Sequence, residues 1–383
     1  MAVKRADGRW MERFTYKGKR YATYGYTKKE AVENAERKKE GLIRQESGTV
    51  NIQQTMTLNE YHDRWEKARI GVVKEATIRK QSFEYKDAAT VIIDEESGIM
   101  LGEKKLQDIT AQDVRDLQRI LQNTKNKTGS PKFTTNTING IISHMKHIMN
   151  DALRERLITW NPFCAVKNLK RTEKKARDTI HRALTVEETQ KFFANAEKSW
   201  YREVFKFMIC SGCRCGEVGA LRYEDVDFDK GIIHIRRTIT KDITGGYVVG
   251  NDAKTFHGIR DIPLTPDLKE AIEQQEKLDK MLFGTEILKH DSLIFTSPEK
   301  TLLNDTSVNR EIKRICIKAG IDRFTAHGFR DTFATRCIEN GMKPKTLQEI
   351  LGHSDISITM NLYVHVLEQT KVEEMELVRF NLG

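Results

Sequence analysis

Three copies of Thr-x-x-Glu stand just ahead of helical-looking stretches, at Thr27–Glu30, Thr57–Glu60 and Thr185–Glu188. In each, the threonine hydroxyl can accept the third helical N–H while the glutamate reaches back to the threonine N–H. Three such helix starts cut a chain of 383 residues into three segments, a length that suits two or three domains of roughly 150 residues. The charge follows the same division. Residues 1–50 hold 13 basic and 7 acidic side chains, residues 51–170 hold 19 and 15, and residues 171–383 hold 33 of each. A positive excess confined to the first half is expected of a surface that grips a polyanion.

The first segment opens with two aromatic runs, Gly8–Tyr16 and Arg20–Tyr26, around Lys17-Gly18-Lys19, which read as a hairpin. A helix from Lys28 to about Lys39 follows. Residues 1–46 are thus expected to form a small α+β domain that lays a sheet into a DNA groove. Most of the aromatics serve its core, which leaves Lys17, Lys19 and Arg20 as contact candidates. From 57 to 170 the pattern is all-α. Leu58, Tyr61 and Trp65 come first, then Val114, Leu117, Ile120 and Leu121, then a helix from about Thr137 to Leu153. The loop Asn123–Lys132 presents Lys125, Lys127 and Lys132 among small polar residues, which suits phosphate contact. Asn161-Pro162 closes this unit, and Arg171–Arg182 reads as a charged interdomain connector. The third segment, 183–383, is mainly α with a small antiparallel sheet. Ile232–Thr240, Tyr247–Val249 and Ile259–Leu264 look extended, and Gly245-Gly246 supplies a turn.

Several function classes fall away. No run approaches about 18 apolar residues, so no membrane-spanning helix is expected. The N-terminus turns charged at once, without the apolar stretch of a secretion signal. Six cysteines spread along the chain fit a reducing cytoplasm. Cys210-Ser-Gly-Cys213-Arg-Cys215 invites a zinc reading, but a closed site needs four ligands, and Cys316 and Cys337 stand alone. Buried packing thiols are the better account. Walker loop, GxSxG elbow and HExxH are all absent.

The informative set is ordered along the third segment. It runs Gly212-Cys213-Arg214-Cys215-Gly216-Glu217, Lys254-Thr255, His327-Gly328-Phe329-Arg330, Leu351-Gly352-His353 and Tyr363. Each member alone has a structural explanation; two arginines, a lysine, two histidines and a late tyrosine in this order do not. At these residues the sequence resembles the tyrosine recombinases, the phage and transposon integrase family. His-x-x-Arg, Leu-Gly-His and the tyrosine ten residues after that histidine carry the likeness. The helical segment resembles the family's core-site binding domain. Residues 1–46 look like the small arm-site binding domain of integrases from conjugative transposons.

The chemistry is coherent without the family. Transesterification at a DNA phosphodiester piles negative charge on a five-coordinate phosphorus, and fixed guanidiniums such as Arg214 and Arg330 can hold its non-bridging oxygens. Tyr363 would attack, its phenolate favoured by the cationic cluster. Lys254 could protonate the leaving 5′-oxygen, while His327 and His353 donate to phosphate oxygens or assist proton transfer. Glu217, three residues after Arg214, is placed to orient that arginine. The resemblance implies the same roles and a covalent 3′-phosphotyrosine intermediate that needs no metal, cofactor or ATP. It also implies double-stranded DNA with core and arm sites, a homotetramer passing through a Holliday junction, and a bacterial cytoplasmic location. An excisionase and a host DNA-bending protein are the accessory partners that it allows.

One local signal disagrees. Ile356, Ile358, Met360, Leu362, Val364 and Val366 alternate at period two, as in a strand. The family places its tyrosine on a helix, and Ser354-Asp355 can cap one, so a helix is expected. Val366–Phe380 carries an apolar set suited to a partner surface; the resemblance implies docking on a neighbouring subunit, and a helix packed on its own domain is the alternative. The competing readings are a resolving recombinase or a type IB-like topoisomerase with the same site, a non-catalytic DNA-binding regulator, and an RNA-binding protein. An arm-type module speaks against the topoisomerase, the undamaged set against the regulator, and the ordered set itself against the RNA binder.

Overall fold

The computed structural model describes residues 2–16, 18–46, 56–94, 96–170, 182–250, 258–284 and 292–367. The chain divides into two compact units, Met1–Glu173 and Lys174–Gly383.

The first unit begins with an antiparallel meander of β1 (Val3–Lys4), β2 (Trp10–Tyr16) and β3 (Lys19–Gly25). Trp10 pairs with Gly25 and Tyr16 with Lys19, and directly opposed residues share a face. One face therefore carries Trp10, Glu12, Phe14 and Tyr16 with Lys19, Tyr21, Thr23 and Gly25. Helix α1 (Lys28–Glu46) covers it: the Thr23 hydroxyl donates to the Ala31 carbonyl at 3.0 Å, and Ala31 and Ala35 are buried. A Cβ on Gly25 would lie 2.6 Å from the Ala31 nitrogen, so only glycine admits this approach. The helix runs through Gly41 well beyond Lys39, because a lone glycine costs only about 1 kcal/mol and does not stop a helix. Its cap is shifted by one residue. Thr27 accepts from the Glu30 N–H at 3.1 Å, but the Glu30 carboxylate accepts from Tyr26 at 2.7 Å.

The rest of this unit is helical: α2 (Leu58–Arg69), α3 (Glu75–Ala89), α4 (Ala111–Asn123) and α5 (Thr135–Arg154). Between α3 and α4 lies a short hairpin of β4 (Ile92–Asp94) and β5 (Ile99–Met100). The Thr57 box forms in full. Thr110–Asp113 makes a further one with aspartate in the glutamate's place. Leu58, Tyr61, Val114, Leu117, Ile141, Ile142, Met145 and Ile148 are all buried in one cluster. Ile120 is only half-buried, and Leu121 takes the inward position.

The second unit carries α6 (Val186–Ala196), α7 (Arg202–Ser211) and the short α8 (Cys215–Gly219). A sheet follows, of β6 (Val226–Asp227), β7 (Ile232–Ile235), β8 (Thr238–Lys241), β9 (Tyr247–Gly250) and β10 (Arg260–Pro263). It comes in two pieces, β10-β7-β6 and β8-β9. The break after Ile235 falls where Arg237 turns to pair with Asp225 at 2.9 Å and Glu224 at 2.6 Å. Then come α9 (Pro266–Phe283), α10 (Asp305–Ala319), α11 (Ala326–Glu339), α12 (Pro344–Leu351) and α13 (Ile356–Leu367). Phe192 on α6 meets Phe205, Phe324 and Phe329 at ring distances of 5.2–5.4 Å. That aromatic knot seats α11 on α6 and α7.

The helical core holds two buried histidines. His62 stacks on Tyr85 at 3.4 Å, and His144 lies 5.7 Å from Trp65. Burial pulls His62 down to about 4 against the opposing pull of Asp63. It pulls His144 to about 3, helped by His62, Arg69, His147 and Lys80. Between pH 6.5 and these values the unfolded chain binds more protons than the folded one, so this stability is present above pH 6.5 and lost as pH falls. The melting temperature of this unit should therefore drop between pH 6.5 and about 4.5, above the usual carboxylate range. His144→Phe should flatten that slope; an unchanged slope in calorimetric melts would contradict the assignment.

Candidate active site

Helix α7 ends at Gly212, whose φ of +66° is the left-handed value that closes a helix on glycine. A Cβ there would also lie 2.5 Å from the Phe333 ring. Two residues later Arg214 caps α8. Its backbone N–H donates to Glu217 Oε2 at 2.9 Å and its Nη1 to Oε1 at 2.7 Å, so the glutamate grips both ends of the arginine. The Arg214 side chain remains 43% exposed while that of Glu217 is 5% exposed. From β10, Arg260 adds Nη2 to Oε2 at 2.8 Å and Nη1 to Oε1 at 3.3 Å. Burial alone would raise the Glu217 carboxyl, but Arg260 and Arg214 together hold it at about 2.

Arg330 on α11 is buried. It donates to the Gly212 carbonyl at 2.8 Å and the Leu351 carbonyl at 2.6 Å. Burial and the neighbouring Arg214 and Arg260 pull it down to about 10, which leaves it charged at neutral pH. His327, one turn earlier, is half-exposed, with Nε2 3.5 Å from Asp331. His353 follows Gly352, itself left-handed at φ +67°. Its Nδ1 meets the buried Thr359 hydroxyl at 2.9 Å. Burial and the adjacent arginines pull this imidazole to about 4, so it is neutral at pH 7.

Tyr363 sits on α13, a helix as expected, with the Asp355 carboxylate accepting from Ser357 N–H at its start. Its position differs from the expectation. The phenol packs with Ala334, Ile338, Leu347 and Leu351, and its hydroxyl donates to the Met342 carbonyl. Burial and Cys337 raise its pKa above the usual range. The cationic cluster does not lower it, because the hydroxyl is turned into an apolar pocket.

Lys254 lies outside the described residues. The hairpin of β8 and β9 that precedes it docks on α8: a Cβ on Gly216 would meet Thr238 Oγ1 at 2.8 Å and the Ile239 carbonyl at 2.9 Å. The helix that carries Arg214 thus rests directly on that hairpin. Of the three cysteines, Cys213 lies 3.6 Å from Arg260 Nη2. Cys213 and Cys215 are buried and Cys210 is half-buried; burial pushes the Cys210 thiol up to about 11.

In the first unit Lys17 is outside the described residues. The strand register puts Lys19 on the α1 side and Arg20 on the open side, with Arg13, Ala22 and Tyr24. Arg5 and Arg9 stand over the Tyr24 ring at 5.3 and 5.5 Å. The sequence reading missed Arg13, although counting back across the Gly18 turn places it opposite Ala22. Lys125 and Lys127 are exposed on a loop where Asn126 Oδ1 accepts from Thr128 and Ser130 N–H, while Lys132 pairs with Asp87 at 2.9 Å. Arg260 was also missed. Its signal was an arginine in phase with Ile262 on a strand whose inward residues are otherwise apolar.

Residues 182–370 match the phage integrase family. A tyrosine recombinase XerC-like protein of Caldanaerobacter subterraneus subsp. tengcongensis is 28% identical over 372 residues, covering 92% of this chain and 90% of its own. Among solved structures, the Tn1549 transposon integrase in complex with a circular intermediate DNA covers 84% of this chain and 100% of its own, with a TM-score of 0.67 at 22% identity. The lambda integrase tetramer bound to a Holliday junction covers 92% and 95%, with a TM-score of 0.55 at 22% identity. At such identities the two structures establish likeness of fold.

The bridge made by Arg330 has a measurable consequence. Arg330→Lys keeps the charge, but one ammonium cannot span two carbonyls as a planar fork does. The second unit should lose about 1–3 kcal/mol, lowering its melting temperature by several degrees. A melting temperature unchanged within a degree would show that the bridge contributes nothing.

Proposed function

The chain belongs to the phage integrase family through residues 182–370, and on that premise we propose that it is a site-specific DNA recombinase that integrates and excises a mobile element. The observation that carries this reading is that Arg330 ties together the two turns that carry Arg214 and His353. Arg330 binds the carbonyls of Gly212 and Leu351, each two residues from the other two groups.

In this reading Tyr363 Oη attacks the phosphorus of a DNA phosphodiester, the new O–P bond replaces the P–O5′ bond, and the 5′-oxygen leaves with a proton. Arg214 and Arg330 hold the non-bridging oxygens. A guanidinium has five N–H donors, and the two carbonyls take only part of those on Arg330. The neutral His353 and the half-exposed His327 donate to phosphate oxygens or relay the tyrosine proton. Lys254 supplies the proton to the 5′-oxygen. The resulting 3′-phosphotyrosine ester conserves the bond energy, so a second strand's 5′-hydroxyl can reverse the step with neither ATP nor metal. Tyr363 must first leave the Met342 carbonyl.

The domains assigned here are 1–46 for arm sites, 57–170 for core sites and 183–383 for catalysis. The open face of the N-terminal sheet, with Arg5, Arg9, Arg13, Arg20 and Tyr24, suits a groove of duplex DNA, while Lys125 and Lys127 suit backbone phosphates. The working assembly is a homotetramer on DNA, a reading supported by the lambda integrase tetramer bound to a Holliday junction. An excisionase and a host DNA-bending protein act as accessories in a bacterial cytoplasm. Among the described residues no helix is long and apolar enough to cross a membrane. The apolar stretch Val366–Phe380 lies largely outside the described residues and is assigned to docking on a neighbouring subunit.

Tyr363→Phe removes only the nucleophilic oxygen. It should abolish covalent attachment and strand transfer on a nicked duplex spanning the element–chromosome junction, while DNA affinity stays within a fewfold. Wild-type attachment should survive EDTA; a strict need for added Mg²⁺, or a covalent adduct with the phenylalanine variant, would overturn the reading. Separately, Arg13→Ala with Arg20→Ala should weaken binding to an arm-site duplex and flatten the log–log salt dependence by about 0.9 per lost phosphate contact. Footprinting that shows no discrete second site would leave this face without a DNA role.

A further inference from the structure

We propose that Arg260 is a positioning residue for DNA cleavage, fixing Arg214 through Glu217 and the His353 turn through the Ile350 carbonyl. The proposal rests on the recombinase reading above.

Arg260 opens β10 and, paired with Ile235, shares the inner face of the sheet with Ile233 and Ile262. Its side chain is only 6% exposed. All five of its N–H donors have an acceptor. Nε donates to the Ile350 carbonyl at 2.5 Å. Nη1 donates to the Gly258 carbonyl at 3.2 Å and to Glu217 Oε1 at 3.3 Å. Nη2 donates to Glu217 Oε2 at 2.8 Å and to Cys213 Sγ at 3.6 Å. A guanidinium committed in this way has no donor left for a phosphate, unlike the nearly half-exposed Arg214. Its influence on the reaction must pass through the groups that it holds.

Those groups are the ones that matter. Glu217 accepts from Arg214 at both its backbone N–H and Nη1, so the carboxylate can orient Arg214 only while it is itself held. Ile350 lies three residues before His353, on the last turn of α12. Arg260 therefore ties together the two segments that carry Arg214 and His353. A buried ion pair is poor value as a stabiliser, and a pair whose carboxylate also binds Arg214 serves orientation.

The test is the rate of covalent complex formation on the nicked junction duplex as a function of pH, for wild type, Arg260→Gln, and Arg260→Gln combined with Glu217→Gln. The charged groups facing Glu217 are Arg214, Arg260 and Arg330, with the Cys213 thiol beside them. In wild type the carboxylate stays ionised throughout, so it contributes no acid limb. In Arg260→Gln it loses its main counter-charge and protonates at higher pH, releasing Arg214. The rate at neutral pH should fall about 100-fold, the scale of a misplaced catalytic group, and the profile should gain an acid limb, with DNA affinity within threefold of wild type. The double variant removes the unpaired buried charge and so remains testable should the single variant fail to fold. Its rate should stay low while the acid limb disappears.

A folded single or double variant with the wild-type rate and profile would overturn the proposal. So would a lowered rate in Arg260→Gln with no change of profile, which marks a merely structural loss. A wild-type protein that forms no adduct on this duplex fails the recombinase reading itself, and the Arg260 proposal with it.

Discussion

Two buried guanidiniums hold consecutive backbone carbonyls: Arg260 takes Ile350 and Arg330 takes Leu351. These carbonyls close α12, and the Gly212 carbonyl that Arg330 also binds closes α7. A helix C-terminus carries partial negative charge, which offsets part of the cost of burying an arginine there. The arrangement sets the whole site. Arg214 follows Gly212 by two residues and His353 follows Leu351 by two, so one guanidinium fixes the chain just ahead of both.

The same economy of charge explains the shifted side chains. Arg214, Arg260 and Arg330 surround one buried carboxylate, that of Glu217. Burial together with the surplus of positive charge lowers Arg330 to about 10 and His353 to about 4, while Glu217 is held at about 2. A phosphodiester would neutralise this surplus, which is the electrostatic preorganisation expected for a developing phosphorane. Tyr363 stands apart from it. Its hydroxyl is on the Met342 carbonyl and burial raises its pKa, so the phenol is protonated and unreactive where it lies.

Much of this was legible in the sequence, for identifiable reasons. Capping boxes are local, and those at Thr57 and Thr185 form as read. The hairpin at Lys17-Gly18-Lys19 and the helical spacing around Leu117 and Ile141 are also short-range signals. The helix of Tyr363 was harder, because its apolar residues alternate. Thr359 and Tyr363, four residues apart, are buried, and Leu362 packs partly against the same cluster. Ile356, Ile358, Met360 and Val364 are 40–57% exposed, so the alternation reports surface rather than a strand. The expectation that the cationic cluster favours the Tyr363 phenolate is reversed, since burial raises its pKa, and that depends on which way the phenol turns. Arg260 was hidden for a similar reason. Nothing short-range links it to Glu217 or Ile350, which lie 43 and 90 residues away.

The central claim is that one oxygen, Tyr363 Oη, carries the DNA. Digesting the covalent complex with nuclease and trypsin and sequencing the modified peptide by mass spectrometry tests it directly. The account predicts a nucleotide joined through its 3′-phosphate to Tyr363, within the peptide Thr346–Lys371. A nucleotide joined to any other residue, or joined through a 5′-phosphate, would contradict it.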